Sequence, residues 1–549
     1  MKIKYKIRYQ IILGFAAMLL ALPSCNDDKG NYSYEDLNEV SIEGINSTYT
    51  VEVGDQLKIT PDLTFSISDK NGSFSYEWYV LTEDGSKKKQ TMVSSERNLS
   101  LPVEGLIGKP GSYDMVYNIT DNDTGVKYIK ELKITVQSYR FAVGYMLLTE
   151  KPENKYDIDM LAVFNNQIFL QSDILSSTGS ELPIEGNPLG VATFLDNYAP
   201  SPYETTARLR FSAYILSDKR TDRVKAEDFS YKEKYNLKET CIASRELFPN
   251  GVIAEKLIST GNNRAYMYAN QNWYCYSSQG VIYLFDTPIN SFSYGSSEFF
   301  KTSPYIFATP SNGAILYDLD KERFILQKYP ILQNEAANPN NVLCSHILTD
   351  NPTDKFQFNN PDYELIYMGN KTALAGFAIV NNKTTNKAEL LEFALTGLNS
   401  TVIKSSRTIF GDEATQALKE AKHFAYQSNA ARPYLYFATE DKVYRTLTTS
   451  MVTTDVTSSV LTPGYKISKM KYMVYATATS KRGTILGLAT YNPNGKVGEN
   501  GKIQFLDTEN NSGNLLPAKQ PEKEIAGVKQ VDMIYTGMGK IIDFDYKFQ

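Results

Sequence analysis

Two histidines, His346 and His423, and four cysteines, Cys25, Cys241, Cys275 and Cys344, are the whole supply of imidazole and thiol groups in a chain of 549 residues. Nucleophilic catalysis needs a serine or cysteine beside a positioned base, and no Gly-x-Ser-x-Gly elbow exists to pair with either histidine, so a Ser-His hydrolase is not expected. No cysteine pair has CxxC spacing, so no structural zinc site of recognisable form is expected. No GxxxxGK[ST] or GxGxxG loop is present to cradle a nucleotide. Paired carboxylates are the remaining catalytic chemistry. Asp157-Ile158-Asp159 and Asp318-Leu319-Asp320-Lys321-Glu322 offer them, yet glycoside hydrolysis needs two carboxyls about 5 to 10 Å apart across a cleft, and Asp320-Lys321-Glu322-Arg323 reads more readily as a solvated hairpin turn. Asp121-Asn122-Asp123-Thr124 lacks the ligand series and distal Glu of an EF-hand loop and is also read as a turn. No catalytic residue, cofactor or metal is therefore expected. What is left is binding. Gln271-Asn272-Trp273-Tyr274-Cys275-Tyr276 is the richest aromatic cluster. In a strand, Trp273 and Cys275 face one way and Tyr274 and Tyr276 the other, so one pair is core and the other is free to meet a ligand. Trp273, Tyr274, Tyr276 and His423 are the candidate ligand contacts, each with a structural alternative: a buried Trp between sheets, or a hydrogen-bonded His.

The elements that must position these residues are strands. Hydrophobic residues recur with period 2 almost everywhere and with period 3.6 almost nowhere, which predicts an all-β protein. Phe74, Tyr76, Trp78 and Val80 alternate with polar residues, as do Tyr113, Met115, Tyr117 and Ile119, and Val126 to Val136 repeats the pattern after the tight turn Asp121-Asn122-Asp123-Thr124-Gly125. Strands and turns at that spacing over about 100 residues predict one β-sandwich at 39–138. Tyr139 to Phe141 reads as a short connection. From 142 to 549, seven weakly similar starts recur, near Gly144, Arg210, Arg264, Pro304, Tyr363, Pro433 and Gly483. Seven units with room for about four strands each predict a seven-bladed β-propeller, whose radial repetition leaves few exposed edges. Glu413 to His423 is the one helix-like insertion. Ile542, Phe544 and Tyr546 alternate near the end of the chain, as a strand would that completes the first blade and closes the ring.

Charge narrows the partners. With 57 Lys+Arg against 62 Asp+Glu and a net charge of −5, nothing drives counterion release from a phosphate backbone, so no nucleic acid partner is expected. At the amino terminus, Lys2, Lys4, Lys6 and Arg8 precede the uncharged run Ile11 to Pro23, which is too short to span a bilayer, since a helix needs about 20 residues. Leu22-Pro23-Ser24-Cys25 resembles a bacterial lipoprotein signal. That resemblance implies cleavage after residue 24, a diacylglyceryl group on Cys25, and an acylated tether over 25–38. The acidic Asn26-Asp27-Asp28-Lys29 resembles the tag that sends lipoproteins of Bacteroidetes-type bacteria to the cell surface. Three cysteines then remain, an odd number at wide spacings that implies no disulfide framework.

A more specific resemblance rests on Tyr76-Glu77-Trp78-Tyr79 and on Gly111-Ser112-Tyr113 running through to Ile119-Thr120-Asp121. Together they resemble the Ig-like PKD domain, whose Trp lies on a core-facing strand. With Gly30-Asn31-Tyr32-Ser33-Tyr34 and Asn38-Glu39-Val40, the chain resembles the PKD-like family lipoproteins of Bacteroidetes. The resemblance implies an outer-membrane lipoprotein facing the cell exterior, accessory to a SusC/SusD-like TonB-dependent importer, and binding a nutrient ligand such as a glycan, a peptide or an iron chelate. Two alternatives stand beside it. A propeller-type polysaccharide lyase or glycoside hydrolase would show a channel with two facing carboxylates and an Arg or Lys, and a non-binding scaffold of the importer would show an apolar mouth sealed by loops.

Overall fold

The computed structural model describes residues 37–547, apart from 68–72, 85–86, 108–110, 138–142, 165–166, 199–207, 227, 242–247, 249–251, 262–263, 278–284, 286–287, 294–295, 329–343, 398–399, 428–432, 473–483, 510–514 and 525–526. The expected leader 1–24, Cys25 with its tether as far as residue 36, and the connection Tyr139 to Phe141 lie outside the described residues. The chain divides into two compact units, Met1–Ser138 and Tyr139–Gln549.

In the first unit a five-stranded sheet runs in the order Thr48–Glu52, Lys127–Gln137, Gly111–Asp121, Phe74–Asp84, Lys87–Ser94, and two short strand pairs, Val40–Glu43 with Asp62–Phe65 and Gln56–Ile59 with Leu99–Pro102, complete it. Alternation decides which residues enter the core. Trp78, Val80, Met115, Tyr117, Ile119, Leu132, Ile134 and Val136 are buried together. Trp78 is fully buried, stacks on Tyr117 at 4.1 Å, and donates its indole N–H to the Glu96 carbonyl at 3.0 Å. It is a core residue with its polar atom satisfied. Asp121 uses its carboxylate on the turn, accepting from the backbone N–H of Asp123 at 2.9 Å and of Thr124 at 3.3 Å, and Gly125 takes φ +74°, the left-handed conformation that favours glycine there.

Among its described residues the second unit carries seven antiparallel sheets and one separate hairpin, Lys519–Glu524 with Gly527–Asp532. In chain order the leading strands of the second to seventh sheets are Pro188–Tyr198, Lys256–Gly261, Phe307–Ala308, Tyr363–Asn370, His423–Tyr426 and Lys466–Tyr472. The first sheet differs. Its strands Gly144–Lys151, Lys155–Phe164 and Gln167–Gln171 lie behind a leading strand taken from the end of the chain, Ile541–Lys547, which pairs antiparallel with Gly144–Lys151 so that Tyr546 faces Tyr145 and Phe544 faces Leu147. The expected pairing of the chain's end with the start of the unit is present.

Each of the seven starts read from the sequence falls in a different sheet, but only Pro304 and Tyr363 mark leading strands. The other five mark second strands, including Tyr434–Ala438, which lies behind His423–Tyr426. Second strands are flanked by strands on both edges and by apolar clusters on their faces, so they carry the strongest apolar signal. The helix Asp412–Glu420 joins the fifth sheet to the sixth and buries Ala414, Ala417 and Leu418 against Leu390 and Phe437 in one cluster.

A charged cluster on the leading strands

Two lysines and two carboxylates meet on the leading strands of the second unit. In Lys466–Tyr472, Ile467 and Met470 are buried. A register shift between Ile467 and Lys469 breaks the alternation, leaving Lys469 and Lys471 on the side opposite Met470. Both ammonium groups reach the same oxygen, Oδ1 of Asp543, at 2.9 and 3.1 Å. Asp543 lies on the closing strand, and its Oδ2 accepts the backbone N–H of Val191 at 3.3 Å. Two residues on, Oδ2 of Asp545 accepts the backbone N–H and the hydroxyl of Thr193, at 2.8 and 3.1 Å. The carboxylates of the closing strand thus fasten it to the second sheet on one side and the seventh on the other, the two leading strands it lies against.

Burial pushes the two carboxyls upward, and their neighbours separate them. Lys469 and Lys471 overrule burial at Asp543 and hold it at about 2, whereas at Asp545 burial outweighs Lys471 and the Thr193 N–H, and its pKa stays raised. Lys471 keeps 31% of its side-chain surface and Lys469 keeps 29%.

Two further groups, on leading strands of other sheets, feel the charge of Lys469 and Asp543. His423 is half-buried, and its ring makes no hydrogen bond among the described residues. Burial, reinforced by Lys469 and Lys422, lowers its pKa to about 4 against the opposing pull of Asp543, so it is neutral at pH 7. Lys256, on the leading strand of the third sheet, donates to the Pro304 carbonyl at 3.1 Å and sits 4.5 Å from the centre of the Tyr305 ring. It has no carboxylate within ion-pair distance among the described residues. Burial first, and Lys469 second, bring its pKa down to about 8, with Glu255 and Asp543 opposing. Beyond Lys256, Tyr305 meets Tyr367 at 4.9 Å and Tyr367 stacks on Phe424 at 4.4 Å, an aromatic arc next to the charged one.

Of the candidate contacts, only His423 belongs to this cluster. Trp273, Tyr274 and Tyr276 are a correction: all three are buried, at 0, 0 and 2% exposure. Both faces of Asn272–Ser277 are covered, Trp273 and Cys275 packing in one apolar cluster and Tyr274 and Tyr276 in another, so neither pair is left for a ligand. The Trp273 indole donates to the Ser303 carbonyl at 2.9 Å. The carboxylate pairs are engaged in structure. Asp157 accepts from the N–H of Leu175 and the hydroxyl of Ser176 at the short helix Ile174–Ser177. Asp159 binds Lys151, and Asp318 holds a hairpin turn and Arg323. Cys25 lies outside the described residues. The sequence reading missed Lys256, Lys469, Lys471, Asp543 and Asp545, although Lys469-Met470-Lys471 and Asp543-Phe544-Asp545 show the signal: like charges two apart in a strand, flanking a buried residue.

The fold and the site define a β-rich protein with a PKD-like portion. A family model described as the PKD-like family matches residues 25–188, a segment that runs past Ser138, through the strands Gly144–Lys151, Lys155–Phe164 and Gln167–Gln171 of the first sheet, to Pro188 at the start of the second. Among solved structures, the chain is similar to a quinonprotein alcohol dehydrogenase-like protein from Bacteroides thetaiotaomicron, at 11% identity and a TM-score of 0.36, covering 91% of this chain and 97% of that one. It is also similar to a protein from Lactobacillus plantarum, at 8% identity and a TM-score of 0.30, covering 74% and 99%. At such scores these likenesses carry no argument about activity. No curated protein matches the chain significantly.

Proposed function

We propose that the seven sheets are the blades of a seven-bladed β-propeller, closed by Ile541–Lys547, and that the space among its leading strands is a ligand site. On this reading the protein is a cell-surface outer-membrane lipoprotein, anchored through Cys25, that binds a nutrient as accessory to a SusC/SusD-like importer. The observation that carries the binding part is the convergence on Lys469 of groups from three other leading strands: Lys256, His423 and Asp543 all sense its charge. Such convergence supports a common centre for the third, sixth and seventh sheets and the chain's end. Among the described residues no helix is long and apolar enough to cross a membrane, so on this reading attachment falls to the lipid.

One observation favours the lyase or hydrolase alternative: two carboxyls, Asp543 and Asp545, with pKa values pushed apart beside two lysines. Against it, both stand on one strand instead of facing each other across a cleft, and each has an oxygen held by the second sheet. The arrangement supports binding and closure better than proton transfer.

The test is fractionation of Cys25→Ser. The variant is expected to be exported, to lack acyl chains, and to leave the outer-membrane fraction, while the unaltered protein stays with it and co-purifies with an importer after detergent extraction. A Cys25→Ser product that still sediments with the outer membrane in high salt defeats the lipid anchor, and an unaltered protein that never co-purifies with an importer defeats the partnership.

A further inference from the structure

A cavity lies away from the leading-strand cluster, under the loop that joins the fourth sheet to the fifth. The loop runs from Leu348 to Asp362, between Ser345–Ile347 and Tyr363–Asn370. Asp350 ties it to itself, accepting from the backbone N–H groups of Phe358 and Asn359, both at 2.8 Å, and from the Asn359 amide at 2.7 Å. Asp350 also takes the ammonium of Lys404, which stands on Thr401–Ile409, the last strand of the fifth sheet. Lys404 donates a second time to Oδ2 of Asp354 at 2.6 Å and lies 4.9 Å from the centre of the Phe358 ring. With the loop fixed in this way, a cavity of about 250 Å³ remains between it and the strand. That is room for about eight waters or for one six-membered ring with its substituents, and it is smaller than the pockets of about 300 Å³ and more that take drug-sized molecules.

The lining combines an apolar part, Leu348, Phe358 and Val402, with the ion pair of Asp354 and Lys404. Oδ2 of Asp354 takes both of its bonds from this pair and from the loop, the second being the Asn351 N–H at 2.8 Å, so Oδ1 remains to accept. Lys404 and Asn351 hold the Asp354 carboxyl below the usual range, which keeps it ionised and acceptor-only at neutral pH. Lys404 uses two of its three N–H donors on Asp350 and Asp354, and one remains to give. Because the carboxylates and the ammonium already neutralise one another, a charged ligand would have to part them to gain a partner of its own. A neutral group that donates to the carboxylate and accepts from the ammonium at adjacent atoms disturbs nothing. Two hydroxyls on neighbouring carbons do both, since each is donor and acceptor at once, and hydrogen bonds to charged partners are about twice as strong as neutral ones. A sugar ring also carries a C–H face beside its hydroxyls, as the cavity carries an apolar part beside its ion pair. We propose that this cavity binds one pyranose unit of a neutral sugar, its vicinal diol donating to Asp354 and accepting from Lys404 while its C–H face lies on Leu348 and Val402. The site shares no residue with the leading-strand cluster and does not rest on the reading of that cluster.

The experiment uses the purified full chain with labelled methyl groups and follows Leu348 and Val402 by NMR. The probes are the methyl pyranosides of D-glucose, D-galactose and D-mannose, which between them present cis and trans vicinal diols, and the controls are cyclohexanol, glycine, acetate and Ca²⁺. At least one glycoside is expected to shift both residues saturably, with a Kd of about 1–10 mM, and cyclohexanol, a ring of the same size without the diol, binds at least tenfold more weakly. Asp354→Asn weakens the glycoside at least tenfold, because the remaining acceptor carries no charge. Val402→Phe narrows the cavity without touching the hydrogen bonds of the loop and abolishes binding, read at Leu348, while methyl signals elsewhere in the fifth sheet stay in place and show that the fold is kept. Three glycosides that leave Leu348 and Val402 unmoved overturn the site, as does an Asp354→Asn chain that binds like the parent. Cyclohexanol binding as tightly as the glycosides reduces the site to an apolar hollow and overturns the diol. Glycine, acetate or Ca²⁺ binding there more tightly than every glycoside replaces the neutral ligand with an ionic one and overturns it too. None of these outcomes bears on the lipid anchor, the importer or the leading-strand cluster, so the failure of this site and the failure of the binding reading above are told apart.

Discussion

The two units bury their side chains under different rules. In Met1–Ser138 the sheets enclose a single cluster of apolar and aromatic residues, and Asp121 is the one buried charged residue among those described, used on a turn at the end of a strand. In Tyr139–Gln549 seven apolar clusters lie between sheets, and charged side chains are buried in several of those sheets, among them Asp159, Arg264, Asp318, Glu389 and Asp543. A two-layer sandwich has only a core and a surface, so alternation sorts every strand into inside and outside. A propeller, the arrangement proposed above, has a third environment at its centre, enclosed but wet, and on that reading it holds Lys469, Lys471, Asp543 and Asp545.

The sharpest way to break the contrast is to open the second unit where its end meets its beginning. Removing residues from 539 onward deletes Ile541 and Phe544, both fully buried, and exposes the edge of Gly144–Lys151. Two such side chains are together worth more than about 5 kcal/mol, and the loss also frees Lys469 and Lys471 from their shared carboxylate. The melting transition of the second unit is expected to collapse as a whole, with that of the first unit in place. A truncated chain that melts as the parent does refutes closure by this strand. Next in size, Trp78→Ala should cost the first unit about 3–5 kcal/mol, because it empties the centre of the single cluster and strips the stack on Tyr117. Chemical denaturation followed by a probe in each unit separates the two effects, and a Trp78→Ala chain whose first unit unfolds at the parent's denaturant concentration would show that its core lies elsewhere.

The same contrast explains what was legible. In the first unit, strands, turn and core residue were readable from alternation alone, Trp78 included, because nothing there competes with the inside-outside rule. In the second, the repeats could be located but were set mostly one strand late, since the eye follows apolar runs and these belong to the second strands. Trp273, Tyr274 and Tyr276 misled for a related reason. A strand with aromatic residues on both faces looks half-exposed under a sandwich rule, yet between two neighbouring sheets both faces are core. His423 stands out as one of only two histidines, and it is half-buried and within the field of Lys469 and Asp543. Its charged companions do not stand out because Lys and Asp alternating with apolar residues look like the solvated face of an ordinary edge strand, and only the folded arrangement brings them together.

The smallest of the expected effects is also the most discriminating, because it separates two carboxyls that alternation alone treats as equivalent. Asp543 is held at about 2, below an ordinary carboxyl near 3.9. Between those values the unfolded chain binds a proton that the fold does not, so the stability Asp543 contributes is complete above about pH 4 and is lost as pH falls toward 2. The shift corresponds to about 2 kcal/mol at neutral pH. Asp545 is shifted the other way by burial, so the fold holds its proton more tightly than the unfolded chain does, and acid works in its favour. Asp543→Asn should therefore destabilise the second unit at pH 7 by about 2 kcal/mol and flatten its loss of stability in acid. Asp545→Asn should cost less at pH 7, since an amide oxygen still accepts from Thr193, and should leave the acid loss as steep as before or steeper. Urea denaturation of both variants at pH 7 and at pH 3 decides it. Equal effects from the two substitutions would mean that the lysines do not distinguish the carboxyls, and that the enclosed charge is a uniform wet lining instead of an ion pair fastening the closing strand.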